Sequence, residues 1–194
     1  MSVLLIVAHP DRSSLNHGVF ERITTVLAEE QVVVYGHDLY EERYSPVLED
    51  EEIRRRFSFD ESFITYTREL RDAQGLVLIY PDWWGMPPAI LKGWIDRVFR
   101  PGIVFDYEGD EFAPKERVPL LTGKRALICT TTDEFNPSRQ EPMQTIWRDR
   151  VFAPTGIDEV HFSTLYNVRE STGRQRRIWI EEIESTVRRM FSEF

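Results

Sequence analysis

Residues 75–99 read GLVLIYPDWWGMPPAILKGWIDRVF. The stretch opens on GLVLIY, an uncharged run rich in β-formers, which predicts a strand buried on both faces. It closes on residues 89–99, which read as a helix. Between the two lie Pro81, Pro87 and Pro88, the adjacent pair Trp83 and Trp84, and Gly85, with Asp82 as the only charge from Tyr80 to Leu91. That composition suits neither a helix nor a strand. It predicts a loop, and loops seldom turn so much aromatic surface to water. Such a loop either plugs the top of a core or covers a ligand.

The same alternation of short apolar runs and longer amphipathic segments extends in both directions. Residues 3–8 predict a first strand, and residues 16–29 a helix with Val19, Ile23, Val26 and Leu27 on one face. Residues 32–35 predict a second strand. Residues 49–73 are charged and mostly helical, with a break near residues 57–60. Residues 101–123 read as a long irregular aromatic stretch, 125–131 as a strand, 142–151 as a helix and 158–165 as a strand of weaker alternation. Ser171 or Thr172 caps a final helix whose stripe is Ile180, Ile183, Val187, Met190 and Phe194, with Trp179 off that stripe as structural cover. There is no internal repeat, low-complexity tract or linker, so one domain is expected over residues 1–194. Strands without alternation imply burial on both faces. The expected fold is α/β, a three-layer sandwich with a five-stranded parallel sheet of order 2-1-3-4-5 between helix layers. In such sheets ligands sit beyond the carboxyl ends of the strands at the switch point, where the loops after Ala8, Tyr80 and Thr131 should meet.

The totals narrow the function classes. The chain has 194 residues, of which 41% are hydrophobic and 29% charged, enough for one sizeable core. A formal net charge of −9 argues against a nucleic-acid binder and against docking on anionic lipid. Cys129 is the only cysteine, which excludes an internal disulfide and disfavours a cysteine-based metal site. Residues 3–8 have no basic region before them and no cleavage pattern after them, so they read as a strand and not a signal peptide. No apolar run approaches the roughly 20 residues that span a bilayer. The expectation is a soluble, cytoplasmic protein without membrane insertion.

The loop after the first strand reads AHPDRSSLN, residues 8–16. Ser13, Ser14 and Asn16 precede the first helix, where hydroxyls and free backbone N–H groups suit a phosphate, and His9 and Arg12 could add charge or hydrogen bonds. The plainer alternative is an ordinary N-cap by Ser13 or Ser14. No G-x-G-x-x-G or G-x-x-x-x-G-K-[ST] fingerprint occurs, which disfavours a Rossmann dinucleotide or a P-loop nucleotide. The opening AHPD also resembles the AHPDDE motif of zinc-dependent N-acetylglucosaminyl deacetylases. Arg12 stands where that motif has a metal-binding Asp, and His17, His37 and His161 form no H-x-x-H pair. A cation in a ligand position is hostile to zinc, so no metal site is expected.

Taken together, three stretches resemble the flavodoxin-like NAD(P)H:quinone oxidoreductases, the DT-diaphorase group, which includes ancillary oxidoreductases of bacterial potassium-efflux systems. AHPDRSSLN matches A-H-x-x-x-x-S-x-N. Residues 81–99 match P-x-x-W-x-x-x-P-[AP]-x-L-K-x-W-[IF]-[DE]-[RK]-V-F, and residues 124–131 end in the group's Thr-Thr. The resemblance implies a tightly bound flavin. His9, Ser14 and Asn16, with Arg12 and Ser13 beside them, would surround its phosphate. Pro81, Asp82, Trp83, Trp84, Gly85 and Met86 would hold the isoalloxazine ring, and Thr130, Thr131 and Thr132 would border its other edge. The implied chemistry is ping-pong: NAD(P)H as co-substrate, hydride through the flavin, and a quinone or similar small acceptor. FMN is the implied flavin, with FAD the alternative, and a homodimer is the implied assembly. Phe99, Phe105, Tyr107 and Phe112 are candidates for its interface or for packing within their own chain.

Some positions depart from that pattern. Thr132 and Asp133 replace the usual Gly-Gly after Thr-Thr, and Asp133 near the ring would disfavour negative charge there unless paired. Residues 134–140 hold neither the Tyr nor the His some members carry, leaving Arg139 as the only cation and speculative catalytic residue. Gly85 stands where others have an aromatic. Two further function classes remain open. One is a flavin-binding regulatory or accessory subunit of a membrane transport system, with the acidic stretch 41–61 as the transporter-partner surface or else as a solvated helix face. The other is a one-electron carrier, against which the tryptophan–proline loop argues.

Overall fold

The structure, a computed structural model, describes residues 1–55, 58–109 and 116–192. Five strands form one parallel sheet: β1 (Ser2–Val7), β2 (Val33–Asp38), β3 (Gly75–Pro81), β6 (Arg125–Thr131) and β7 (Glu159–Leu165). Their spatial order is β2-β1-β3-β6-β7. It departs from 2-1-3-4-5 in its numbering because β4 (Phe105–Glu108) and β5 (Glu116–Pro119), which the sequence reading placed in an irregular stretch, pair as a separate antiparallel ribbon. Strand periodicity explains the long apolar runs. Leu4, Ile6, Leu76, Leu78 and Ile128 enter one core, while Val3, Leu5, Val77, Ile79 and Leu127 enter the other.

Helices α1 (Leu15–Glu29) and α6 (Gly173–Phe191) cover the second core. Helices α3 (Glu61–Asp72) and α4 (Ala89–Val98) cover the first. The expected helix over 49–73 divides into α2 (Asp50–Arg55) and α3, which starts at the Asp60 N-cap. Phe57, in the expected break, lies outside the described residues, as do Phe112 and Phe194. The helix expected over 142–151 is α5 (Glu141–Thr145) followed by a π-helical segment, Ile146–Phe152. Phe99 packs into the core against Trp94 and Phe152. Phe105 and Tyr107 pack edge to face on the ribbon, with Arg117 over both rings. Trp179 is partly buried against the α1–α6 core as cover. Among the described residues no helix is long and apolar enough to cross a membrane.

Parallel register places the strand ends side by side. Val7 pairs with Ile79, and Pro81 with Thr131. Ala8 N–H continues the ladder to the Ile79 carbonyl at 2.9 Å. The three loops leave the sheet at one edge.

Candidate functional site

The loops are joined by hydrogen bonds that only the tertiary fold creates. Asp82 N–H donates to the Thr131 carbonyl at 2.8 Å, and the buried Asn16 donates from Nδ2 to Thr131 Oγ1 at 2.9 Å. Thr130, Thr131 and Thr132 are all buried. Thr132 Oγ1 donates to Asp82 Oδ2 at 3.2 Å, and Gln140 Nε2 donates to the same oxygen. Buried side-chain bonds of this kind fix loop positions before any ligand arrives.

At the α1 end, Ser14 is the N-cap and accepts from His17 N–H. Ser13 N–H and Oγ both donate to Asp11 Oδ1, at 2.8 and 2.7 Å, and these bonds hold the Asp11 carboxyl below its ordinary range. Arg12 reaches Glu41 at 2.8 Å on the surface. The Leu15 and Asn16 N–H groups, first in the helix, have no intrahelical acceptor and remain available to an anion. His9 Nδ1 accepts Asp11 N–H at 3.0 Å, and burial pushes the His9 imidazole below its usual value. The His9 ring lies 6.4 Å from the Trp83 ring, which links the first loop to the second.

The aromatic loop is a two-residue hairpin. Trp83 N–H donates to the Met86 carbonyl at 3.0 Å and Met86 N–H returns a bond of 3.2 Å. The central residues Trp84 (φ 60°) and Gly85 (φ 75°) both lie in the left-handed region, the signature of a type I′ turn. Gly85 meets that demand freely, whereas Trp84 adopts it against steric preference. Trp84 is also 101% exposed, so no packing within the chain compensates. A bulky residue held in strain and bare to solvent points to use by a ligand or partner.

Beside this turn is an open cavity of about 510 Å³, lined by Asp82, Trp84, Gly85, Thr132, Asp133, Glu134, Phe135 and Arg139. Its charges are mostly paired. Asp133 accepts Arg169 N–H at 3.0 Å and meets the Arg169 guanidinium at 3.0 Å. Glu134 meets Arg139 at 2.8 Å, and backbone N–H groups of Asn136 and Phe135 hold its carboxyl below the ordinary range. Arg139 therefore reaches the cavity wall bound to Glu134. Beneath, Trp147 Nε1 donates to Tyr80 Oη at 2.7 Å, and burial raises the Tyr80 hydroxyl to about 12.

The fold thus gathers His9, Arg12, Ser13, Ser14 and Asn16 at one end of the site. Pro81 through Met86 end and follow β3, and Thr130, Thr131, Thr132 and Arg139 lie at or after the end of β6, with Thr131 bonded back to Asn16. Sequence reading missed Gln140, Trp147, Arg169, His17 and Asp38, whose partners are distant in the chain. Burial marks His17, Asp38, Gln140 and Trp147, whereas the exposed Arg169 is tied in only by its bonds to Asp133.

Residues 1–186 match the protein-family model Flavodoxin_2, described as a flavodoxin-like fold. The chain belongs to this family. It is 28% identical over 189 residues to an uncharacterized NAD(P)H oxidoreductase of Haemophilus influenzae, covering 93% of this chain and 91% of that protein. The solved NAD(P)H:quinone oxidoreductase from Methanothermobacter marburgensis superposes with a TM-score of 0.84 at 23% identity, covering 100% of this chain and 98% of that one. An FMN-dependent NADH-azoreductase from Bacillus anthracis, solved in complex with FMN, has a TM-score of 0.75 at 17% identity and full coverage of both chains. The chain spans 52% to 62% of the length of mammalian quinone dehydrogenases it also matches. The resemblance drawn from the three sequence stretches is borne out at the level of the family.

Proposed function

We propose that this chain, as one domain, is an FMN-dependent NAD(P)H oxidoreductase acting on quinones or similar small acceptors. The observation that carries the reading is the meeting of three strand-end loops, tied through Asn16, Thr131 and Asp82, beside one open cavity. The similar Haemophilus, Methanothermobacter and Bacillus proteins, by their names, support the same reaction class and, for the Bacillus protein, the same flavin.

The residues present fit such a group. The first N–H groups of α1 and the Ser14 hydroxyl offer donors to a phosphate, with His9, Arg12 and Ser13 around them. Asp82, Trp84 and Gly85 face a cavity broad enough for a planar ring, and Trp83 and Met86 close the turn that carries Trp84 and Gly85, with Pro81 ending the strand before it. Thr132 lines the same cavity, and Thr130 and Thr131 precede it, buried at the end of β6. Bound there, FMN would supply the hydride chemistry, accepting from NAD(P)H and delivering to the next occupant of the slot in a ping-pong cycle. The chain orients ring and substrates and pairs Asp133 with Arg169 and Glu134 with Arg139, while Asp82 is held by the neutral donors Thr132 and Gln140. Arg139 acts as a wall residue whose charge Glu134 offsets.

A homodimer would cover the bare Trp84 and Phe135 at the slot. The protein is expected to act in the cytoplasm. The accessory-subunit reading draws less support, because much of the acidic stretch is used internally: Glu41 by Arg12, Glu42 by His37 and Tyr66, and Glu52 and Asp60 by Arg97.

The test is steady-state oxidation of NADH and NADPH by the flavin-loaded protein with menadione or a nitroaromatic acceptor. Turnover with either acceptor is expected. Bound flavin without turnover would overturn the enzymatic reading and leave the accessory one.

A further inference from the structure

Behind Ser14 stands a buried relay. Ser14 Oγ lies 3.0 Å from His17 Nδ1, and His17 Nε2 lies 2.8 Å from Asp38 Oδ2. His17 and Asp38 have side chains only 8% and 9% exposed. Asp38 Oδ1 accepts Tyr40 N–H at 3.0 Å and Glu41 N–H at 3.2 Å, which fixes the carboxylate at the end of β2. A carboxylate accepts only, so His17 Nε2 carries a proton. The ring's other nitrogen then has two states. With a bare lone pair, Nδ1 takes the Ser14 hydroxyl proton, and Ser14 turns only lone pairs outward. With a proton of its own, Nδ1 donates to Ser14 Oγ, and the Ser14 O–H is released toward the helix N-terminus. A phosphate oxygen is an acceptor and is compatible only with the second state.

The geometry points to a proton-coupled phosphate clasp: Ser14, His17 and Asp38 hold the flavin phosphate together with one proton taken from solvent onto His17 Nδ1. This rests on the flavin reading above. The one bond formed is N–H at His17 Nδ1, its proton released by water or buffer; the imidazolium is flanked by Asp38 and, through Ser14, by the phosphate.

His17 is the group bonded to both Ser14 and Asp38, and the His17→Asn variant separates proton uptake there from uptake at His9. His9 approaches it edge-on at 6.4 Å with its imidazole held below its usual value by burial, and Asp11, in the same loop, is held below its own range by Ser13. Strands β1 and β3 bring no charged residue, and the one on β6, Arg125, is at the opposite end. Cys129 on β6 is buried, with its thiol pushed up to about 12. On α1 itself, Glu21 is exposed one turn on, and Arg22 is engaged with Glu184 of α6. At the end of β2, Glu41 is held outward by Arg12.

The experiment compares FMN with riboflavin, which lacks the phosphate, by flavin-fluorescence titration from pH 7 to 9, above the second ionisation of a phosphate ester at about 6. Isothermal titration in two buffers of different ionisation enthalpy counts protons on the wild-type protein directly. Net uptake with FMN and none with riboflavin is expected, with FMN affinity falling toward about tenfold per pH unit and riboflavin affinity flat. His17→Asn, whose amide N–H can replace the Nδ1 donor, should bind FMN without that slope; a merely structural histidine would weaken both flavins alike. FMN binding with no proton uptake overturns the clasp while leaving the flavin site. Failure of both flavins to bind overturns the site reading and the clasp with it.

Discussion

Replacing Trp84 by asparagine should move stability and flavin affinity in opposite directions. Trp84 sits at φ 60° in a type I′ turn and is 101% exposed, so its removal forfeits no packing in the flavin-free fold. The left-handed conformation costs an ordinary L-residue roughly 1–2 kcal/mol, and asparagine tolerates it best after glycine. With Gly85 next at φ 75°, the substitution restores the Asn-Gly pair that this turn prefers. A gain of about 0.5–1 kcal/mol follows, which raises the melting temperature of a domain of this size by roughly 1–4 °C. The flavin ring would lose an aromatic contact of about 0.5–1.5 kcal/mol beyond its area, weakening FMN binding roughly two- to tenfold. Circular-dichroism melts of the flavin-free protein read the first effect, and fluorescence titration with FMN the second. A lower melting temperature would show that Trp84 packs on its own chain. An unchanged FMN affinity would remove Trp84 from the slot wall.

Other residues give independent tests. Arg97 is 3% exposed and bonds Glu52, Asp60 and the Ser45 carbonyl, so Arg97→Met leaves Glu52, 6% exposed, without its main counter-charge; a loss of roughly 3–5 kcal/mol in urea unfolding is expected. Burial alone would lower the His37 imidazole, but hydrogen bonds to Glu42 and Glu69 outweigh it and raise the group above 6.5. Its stabilising contribution is therefore complete below pH 6.5 and is lost as pH rises through the raised folded-state value, so melts across that window should converge toward those of His37→Gln at the alkaline end. On α4, Gly93→Ala would bring a Cβ within 2.2 Å of the Pro46 carbonyl and should destabilise by about 1–3 kcal/mol. On α1, Gly18→Ala meets nothing within 4 Å and should stabilise by about 0.5–1 kcal/mol in the same assay.

The parts of the fold legible in the sequence were those whose residues carry their own signal. Strands β1, β3 and β6 are apolar on both faces, so burial shows in every residue. The end of β2 was not legible: Gly36, His37 and Asp38 lack β-formers and are held there by pairing with Leu5, Ile6 and Val7. The β4–β5 ribbon is mostly exposed and polar, which gives it no apolar alternation to read. The π-helical widening over Ile146–Phe152 follows no sequence period; it coincides with Trp147 stacking on Phe152 and bonding Tyr80. At the site, the loop motifs announced their own residues. Gln140, Arg169 and the His17–Asp38 pair became visible only where the fold closed long chain separations around them.

The central claim is that the three loops hold a flavin, and the most direct measurement is the absorption spectrum of the purified protein after incubation with excess FMN and desalting. The account predicts retained flavin bands corresponding to about one FMN per chain. A colourless protein, with FAD tried and also lost, would contradict it.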